Sequence, residues 1–368
     1  MKSFIPLSRP NIKEEDIERV AEVLRSGMLV QGEHVKAFEN AIAAFIGCKY
    51  AIAVSNGTAS LHLALKALHI GPGDEVVIPA FSYVATANVV ELVGAKPVFV
   101  DVELTTCNIQ AQAVADLRSP KIKALMPVHE FGLSADIQKL SQIARQNSWA
   151  LIEDAACALG ATEHGKQVGT FKEFGSFSFH PRKAITSGEG GLITTNDDDL
   201  ANKIYVLRNH GISTQGYLDF IDAGFNYRLT EMQAVLLTGQ LKRFDSTLAR
   251  RKELAALYNE RLRGIAQVSL PQYAPEKEHT WQTFHILLDR NIDRAKLILA
   301  LKDHGVGTNY GAQCIPAMTY YKGKYGFDAE KTYPNAWALY TRGLALPMFE
   351  TLTDDEIHYI CDTLIRLL

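Results

Sequence analysis

The chain has 368 residues, 47% of them hydrophobic, with 38 basic and 41 acidic side chains and a net charge of −3 at neutral pH. That length fits one large α/β domain with a smaller companion, and the composition is that of a water-soluble globular protein. No apolar run reaches the roughly 18 residues of a membrane helix. The start MKSFIPLSRPNIKEEDIERV lacks the apolar core of a secretion signal. The charge and the absence of a basic run leave no reason to expect nucleic acid. Cys48, Cys107, Cys157, Cys314 and Cys361 are scattered, odd in number and free of CxxC spacing, so neither a zinc site nor a disulfide framework is expected. A cytoplasmic protein with free thiols fits these features, and Asn56-Gly-Thr58 reads as an accidental glycosylation sequon.

In chain order, Asn11 can cap a helix running through Glu15, Ile17, Val20 and Leu24 and stopping at Gly27. A loop, Gly27-Met-Leu-Val-Gln-Gly32, leads to a second helix over Val35–Phe45. Short apolar runs follow at Tyr50–Val54, Glu75–Pro79, Pro97–Val102, Ala124–Val128, Trp149–Glu153, Phe174–Phe179 and Gly191–Thr195. Helical patterns at Thr58–Leu68, Val84–Val93 and Asp136–Gln146 alternate with them. In the first, Leu61, Leu65 and Leu68 share a face. Apolar strands alternating with helices predict a mostly parallel sheet covered on both sides, a three-layer α/β/α domain over residues 1–245. From Thr230 to about Leu262 the pattern is one long helix or a kinked pair bridging to a small α+β domain, 246–368. There Thr280–Leu288 reads as a strand and Asp293–His304 as a helix. Thr353-Asp-Asp-Glu356 is a capping box ahead of a last amphipathic helix.

Lys183 lies in Phe174-Gly-Ser-Phe-Ser-Phe-His-Pro-Arg-Lys183-Ala-Ile-Thr-Ser-Gly-Glu-Gly-Gly191, a run rich in aromatics and glycine. Most lysines are solvated, but a desolvated setting favours the neutral amine that can attack an aldehyde. Upstream, Trp149-Ala-Leu-Ile-Glu-Asp154 ends an apolar run on an acid. A lysine that forms a Schiff base and an acid that pairs with a pyridinium nitrogen are what pyridoxal phosphate (PLP) chemistry requires. Glu153 and Asp154 point to opposite faces of a strand, and periodicity alone barely separates them; Asp154 is the choice. In Val54-Ser-Asn-Gly57-Thr58-Ala59, a strand ends, a glycine turns and a helix begins. Its free N–H groups suit a phosphate, though a plain capped turn looks the same. Ser178 offers a further hydroxyl. There is no GxxxxGK[ST], HExxH or GxSxG.

Taken together, the chain resembles the DegT/DnrJ family of PLP-dependent sugar aminotransferases, of the aspartate-aminotransferase fold (fold type I). The likeness rests on Ile5-Pro-Leu-Ser-Arg-Pro10, Gly57-Thr-Ala-Ser-Leu-His62, Gly71-Pro-Gly-Asp-Glu-Val76, Glu153-Asp-Ala-Ala156, Ser176-Phe-Ser-Phe-His-Pro-Arg-Lys183, Gly188-Glu-Gly-Gly191 and Gly224-Phe-Asn226-Tyr-Arg228. It implies that Lys183 holds the cofactor and shuttles a proton and that Asp154 pairs with the ring nitrogen. It further implies that Gly57, Thr58, Ala59 and Ser178 hold the phosphate and that Tyr83 stacks on the ring. Asn226 would reach the phosphate in a neighbouring subunit, which implies a homodimer with shared active sites. Gln31, Arg228 and Tyr310 are the candidate substrate residues, with a structural role equally open for Arg228. The implied reaction moves an amino group from L-glutamate to a keto group of a nucleotide-linked deoxysugar. A sugar dehydratase, a cyclitol aminotransferase or a non-catalytic regulator are the alternatives on this fold. The dehydratase branch carries histidine where Lys183 stands. Two departures stand out. Cys157 replaces the usual glutamine near the ring hydroxyl, and Gly305–Pro316 lacks the expected histidine pattern.

Overall fold

The computed structural model describes residues 4–215 and 218–368. The large unit begins with α1 (Glu14–Ser26) and α2 (Glu33–Ile46). The chain then alternates through β1 (Tyr50–Val54), α3 (Gly57–Ala67), β2 (Glu75–Pro79), α4 (Ala85–Leu92), β3 (Lys96–Val100), β4 (Ile122–Leu125), α5 (Ile137–Gln146) and β5 (Ala150–Asp154). β6 (Phe174–Ser178), β7 (Gly191–Thr195) and α6 (Asp198–Arg208) complete the alternation. The seven strands form one sheet in the order β1-β7-β6-β5-β4-β2-β3. Only β7 runs against the others. This is a mixed, mostly parallel sheet with helices on both faces.

The apolar composition of the strands follows from that double cover. One face packs Ile52, Val54, Ile78 and Ile193 against Leu61, Leu65 and Val89. The other packs Ala51, Ala53, Phe177 and Leu192 against Phe38, Ile42 and Leu237. In α3, Leu63, Ala64 and Ala67 are buried along with Leu61 and Leu65, so the helix is enclosed more widely than a single stripe.

The stretch from Thr230 is a kinked pair, α7 (Glu231–Leu241) and α8 (Phe244–Leu262). The boundary expected at residue 245 falls at the start of α8. Beyond it, β8 (Val268–Ser269), β9 (Phe284–Leu288) and β10 (Gly343–Leu346) form an antiparallel sheet. α9 (Arg294–Asp303), α10 (Pro334–Arg342) and α11 (Asp354–Leu367) accompany it. The core of this unit recruits Ile5 from the N-terminus, whose N–H bonds the Gly305 carbonyl at 2.8 Å. Conversely, Cys314, Tyr321, Tyr333 and Leu339 pack into the core of the large unit. Among the described residues no helix is long and apolar enough to cross a membrane.

Several boundaries differ from expectation for identifiable reasons. α1 begins at Glu14 and not after Asn11, because the Asp16 carboxylate accepts the Lys13 N–H at 2.9 Å while the Asn11 carbonyl accepts from Arg243. α3 starts at Gly57, one residue before Thr58, because the Asn56 side chain takes the Ala59 N–H at 2.8 Å. β4 stops at Leu125 two residues ahead of Pro127, which has no N–H to continue the ladder. The strand expected from Thr280 begins only at Phe284. Thr280 N–H bonds the Gly132 carbonyl instead, and Trp281 takes a φ of 53°.

Candidate active site

The C-terminal ends of β4, β5 and β6 open into a cavity of about 570 Å³. Asp154, Cys157, Ser178 and Lys183 line it, with Asn56, Gly57, Thr58 and Ala59 at the α3 N-terminus. Such a position, outside the carboxyl ends of parallel strands, is where open α/β sheets gather ligands.

Asp154 closes β5 and is buried. Its Oδ2 accepts from the Thr86 hydroxyl at 2.9 Å and its Oδ1 from the Ala156 N–H at 3.2 Å. Burial pushes its carboxyl above the usual range, against the pull of Thr86, Ala156 and Lys183. Glu153 faces away from the cavity. It accepts from the Gly169 and Phe171 N–H groups at 2.8 and 2.7 Å and meets His129 Nε2 at 3.0 Å. Strand alternation therefore gives the two acids separate tasks, one facing the cavity and one tying a loop.

Lys183 stands in the turn after β6, its N–H bonded to the His180 carbonyl at 2.8 Å. Its Nζ lies 2.9 Å from Cys157 Sγ. Burial pushes the Cys157 thiol up, and the Lys183 cation opposes that shift.

The α3 N-terminus forms the opposite wall. With Asn56 occupied by Ala59, the N–H groups of Gly57 and Thr58 have no acceptor within the helix. A Cβ on Gly57 would stand 2.9 Å from Ser178 Cβ, and one on Gly191 would stand 2.3 Å from the Asn56 carbonyl carbon. Both glycines exist because backbone and side chain close tightly around this turn. A bare helix N-terminus, the Ser178 hydroxyl and Thr58 fit a phosphate. An acid and a lysine farther along the same cavity fit a pyridine ring carrying an aldehyde.

Tyr83 sits at the rim, 59% exposed. Asn226 and Arg228 do not line this cavity, although Tyr227 between them does. Arg228 Nη1 donates to Asn209 Oδ1 at 2.6 Å, and Asn226 is exposed. Gln31 lies outside as well. Its loop is tied down by Glu231, which accepts from the N–H groups of Gly32, His34 and Val35. Tyr310 also lies outside, packed edge-on to Tyr340, while its neighbours Asn309 and Gly311 line the cavity.

Sequence reasoning missed several lining residues. His180 and Arg182 were legible as neighbours of Lys183, and His62, bonded to the Tyr227 hydroxyl at 3.2 Å, as part of α3. Gln282 reaches the cavity from the C-terminal unit, and its Nε2 donates to the Arg182 carbonyl at 2.8 Å. Glu130 had no local signal, since nothing in Val128-His-Glu-Phe-Gly132 reveals that its carboxyl is enclosed.

Comparison with known proteins agrees with this geometry. A model of the DegT/DnrJ/EryC1/StrS aminotransferase family matches residues 10–365. The spore coat polysaccharide biosynthesis protein SpsC of Bacillus subtilis is 36% identical over 368 residues, 96% of this chain and 94% of that protein. The putative sugar aminotransferase Spr1654 of Streptococcus pneumoniae, solved in its PMP form, superposes with a TM-score of 0.94 at 29% identity, covering 99% of this chain and 97% of the other. DesV of S. venezuelae, solved with a ketimine intermediate, gives 0.92 at 31%, covering 99% and 98%. Matched over nearly its whole length, this chain belongs to the DegT/DnrJ/EryC1/StrS family of PLP-dependent sugar aminotransferases.

Proposed function

We propose that the protein moves an amino group from L-glutamate to the keto group of a nucleotide-linked deoxysugar. The observation that carries this reading is the pairing of Lys183 and Asp154 on one cavity that also has an unencumbered helix N-terminus. SpsC supports a role in polysaccharide assembly, and Spr1654 supports a sugar as amine acceptor.

In this reading, Gly57, Thr58, Ala59 and Ser178 hold the cofactor phosphate through N–H and hydroxyl donors. Asp154, oriented by Thr86 and Ala156, keeps the ring nitrogen protonated. Bound PLP would supply the electron sink that amine transfer needs. Lys183 would anchor it through Nζ and then hold or release a proton there as a general acid–base. Tyr83 covers the ring face, and closure by Gln282 and Arg182 excludes water.

A homodimer completes the site. Asn226 and Arg228 are turned from their own cavity. Exposed apolar side chains at Met28, Leu29 and Val30, and at Leu218, Phe220 and Ile221, suit a subunit contact. Asn226 would then reach the partner's phosphate, with Gln31, Arg228 and Tyr310 near the acceptor.

The test is spectral. PLP-loaded protein should be yellow, L-glutamate should convert it to the pyridoxamine spectrum, and a 3- or 4-keto sugar linked to UDP, dTDP or GDP should restore the yellow form. Failure of L-glutamate to change the spectrum, with the cofactor bound, would sink the donor assignment.

A further inference from the structure

Glu130 is a carboxylate without a stated task. It follows β4, is 4% exposed and lines the cavity, yet its Oε2 has no hydrogen-bond partner. Burying a carboxyl with an oxygen unpaired is costly unless a ligand pairs it or it stays protonated.

Its place in the sheet specifies which ligand edge it meets. The order β6-β5-β4 puts Asp154 between Ser178 and Glu130. In a pyridoxal ring, the nitrogen is opposite the carbon that bears the aldehyde. The phosphate arm and the ring hydroxyl flank that carbon on either side. With the nitrogen at Asp154, the reactive carbon at Lys183 and the phosphate arm toward Ser178 and Gly57, the hydroxyl edge turns toward β4. Glu130, Cys157 and Ser82 are polar side chains lining the cavity there.

We propose that Glu130 binds the cofactor as a neutral acid, donating a hydrogen bond to the ring hydroxyl oxygen, a contact that the weakly donating Cys157 thiol cannot supply alone. This rests on the assignment of Asp154 and Lys183 above.

The surroundings favour the neutral form. Asp154 on β5 and the Cys157 and Cys107 thiols face Glu130, and Lys183 is the opposing cation. The Ser82 hydroxyl lies against its carboxyl, and its backbone N–H donates to Asn108 Oδ1 at 2.9 Å. Burial first, and Asp154 next, push its carboxyl up to about 8. His129, the preceding residue, is engaged by Glu153 on the far face and does not pair with Glu130.

The consequence is readable without turnover. A donor on the ring oxygen stabilises its negative charge once the Lys183-linked nitrogen has lost its proton, and so lowers the pH at which that proton leaves. The experiment titrates the visible absorbance of PLP-loaded wild type, Glu130→Gln and Glu130→Leu. Leucine, which donates nothing, should raise the midpoint by about one to two pH units, the shift expected from losing one charge-assisted hydrogen bond. Glutamine, which still donates and preserves shape, should stay within about half a unit of wild type. An unchanged midpoint in Glu130→Leu overturns the proposal, and so does a lowered midpoint in Glu130→Gln, the signature of an ionised carboxylate. If Glu130→Leu does not fold, a Glu130→Gln midpoint near wild type, with PLP affinity retained, supports the proposal, and a midpoint displaced by a unit overturns it. A wild type that binds PLP but shows no borohydride-trapped adduct at Lys183 would instead overturn the underlying site assignment.

Discussion

Lys183 Nζ donates to the Cys157 sulfur across 2.9 Å, so the lysine assigned as the cofactor anchor in the proposed mechanism faces a thiol. Burial pushes that thiol up, Lys183 pulls it down, and Glu130 and Asp154 push it up further. Replacing Lys183 by methionine, similar in length but neutral, removes the cation that lowers the Cys157 thiol and should raise it further. Cys157 alkylation by iodoacetamide in cofactor-free protein at pH 8 should then slow several-fold, since the thiolate is the nucleophile. Peptide mass spectrometry follows this site separately from the other four unpaired cysteines. Faster alkylation in Lys183→Met would contradict the assigned coupling.

Glu130 should make the cofactor-free protein sensitive to pH. Its folded carboxyl is raised from the ordinary 4.5 to about 8. Stability from keeping it neutral is fully present below 4.5 and is lost as pH rises toward 8. Asp154, also raised by burial, acts in the same direction. Glu130→Gln should therefore gain on wild type between pH 5 and 8.5, by on the order of a few kcal/mol. Urea denaturation of both proteins at several pH values measures the difference; parallel pH profiles would rule this out.

Gly57→Ala places a methyl group 2.9 Å from Ser178 Cβ. The α3 N-terminus must shift away from β6, at a cost of about 1–3 kcal/mol. PLP affinity should fall at least about tenfold, in proportion to that displacement. Fluorescence titration with PLP reads this, and Thr58→Ala, which removes one hydroxyl without a clash, should lose less.

Glu231 joins α7 to the start of α2 by accepting three N–H groups, at 2.9 Å from Gly32, 2.9 Å from His34 and 2.8 Å from Val35. Glu231→Ala orphans all three beside a buried side chain and should destabilise the fold by roughly 2–4 kcal/mol. Glu231→Gln retains one acceptor oxygen and should lose about half as much. Chemical denaturation gives both values, and hydrogen exchange at residues 32–35 should accelerate in the alanine variant.

The proposed sharing of active sites between two subunits can be tested with mixtures. Lys183→Ala and Asn226→Ala protomers, each impaired alone, should restore activity when unfolded together and refolded. Random pairing makes half the dimers mixed, and each mixed dimer regains one of two sites, so about a quarter of wild-type sites return. No recovery, with dimers present by light scattering, would show that Asn226 serves its own chain.

Much of the fold was legible because periodicity is a local property. The apolar runs at Tyr50–Val54, Glu75–Pro79 and Gly191–Thr195 appear as strands with the expected bounds. Strand order was not legible. β7 inserts antiparallel between β1 and β6, a pairing that depends on Gly191 passing close to the Asn56 carbonyl. Helix starts shifted where side chains chose other partners, as with Asn56 ahead of Thr58. Gln31, Arg228 and Tyr310 were read from motifs and loops, and the folded chain puts none of them on its own cavity.

By itself, the sequence determined the family and its cofactor class, because motifs such as Glu153-Asp-Ala-Ala156 and Ser176-Phe-Ser-Phe-His-Pro-Arg-Lys183 are contiguous in the chain and legible before it folds. Tertiary structure alone decided which groups face one another. Alternation on β5 sent Glu153 to a loop and Asp154 to the cavity, and the β6-β5-β4 order set Glu130 beside Asp154. Enclosure then changed what these groups can do. A carboxyl in a loop is an ordinary anion, and the same carboxyl sealed beside another acid is pushed toward its neutral form, since burial disfavours the charged form.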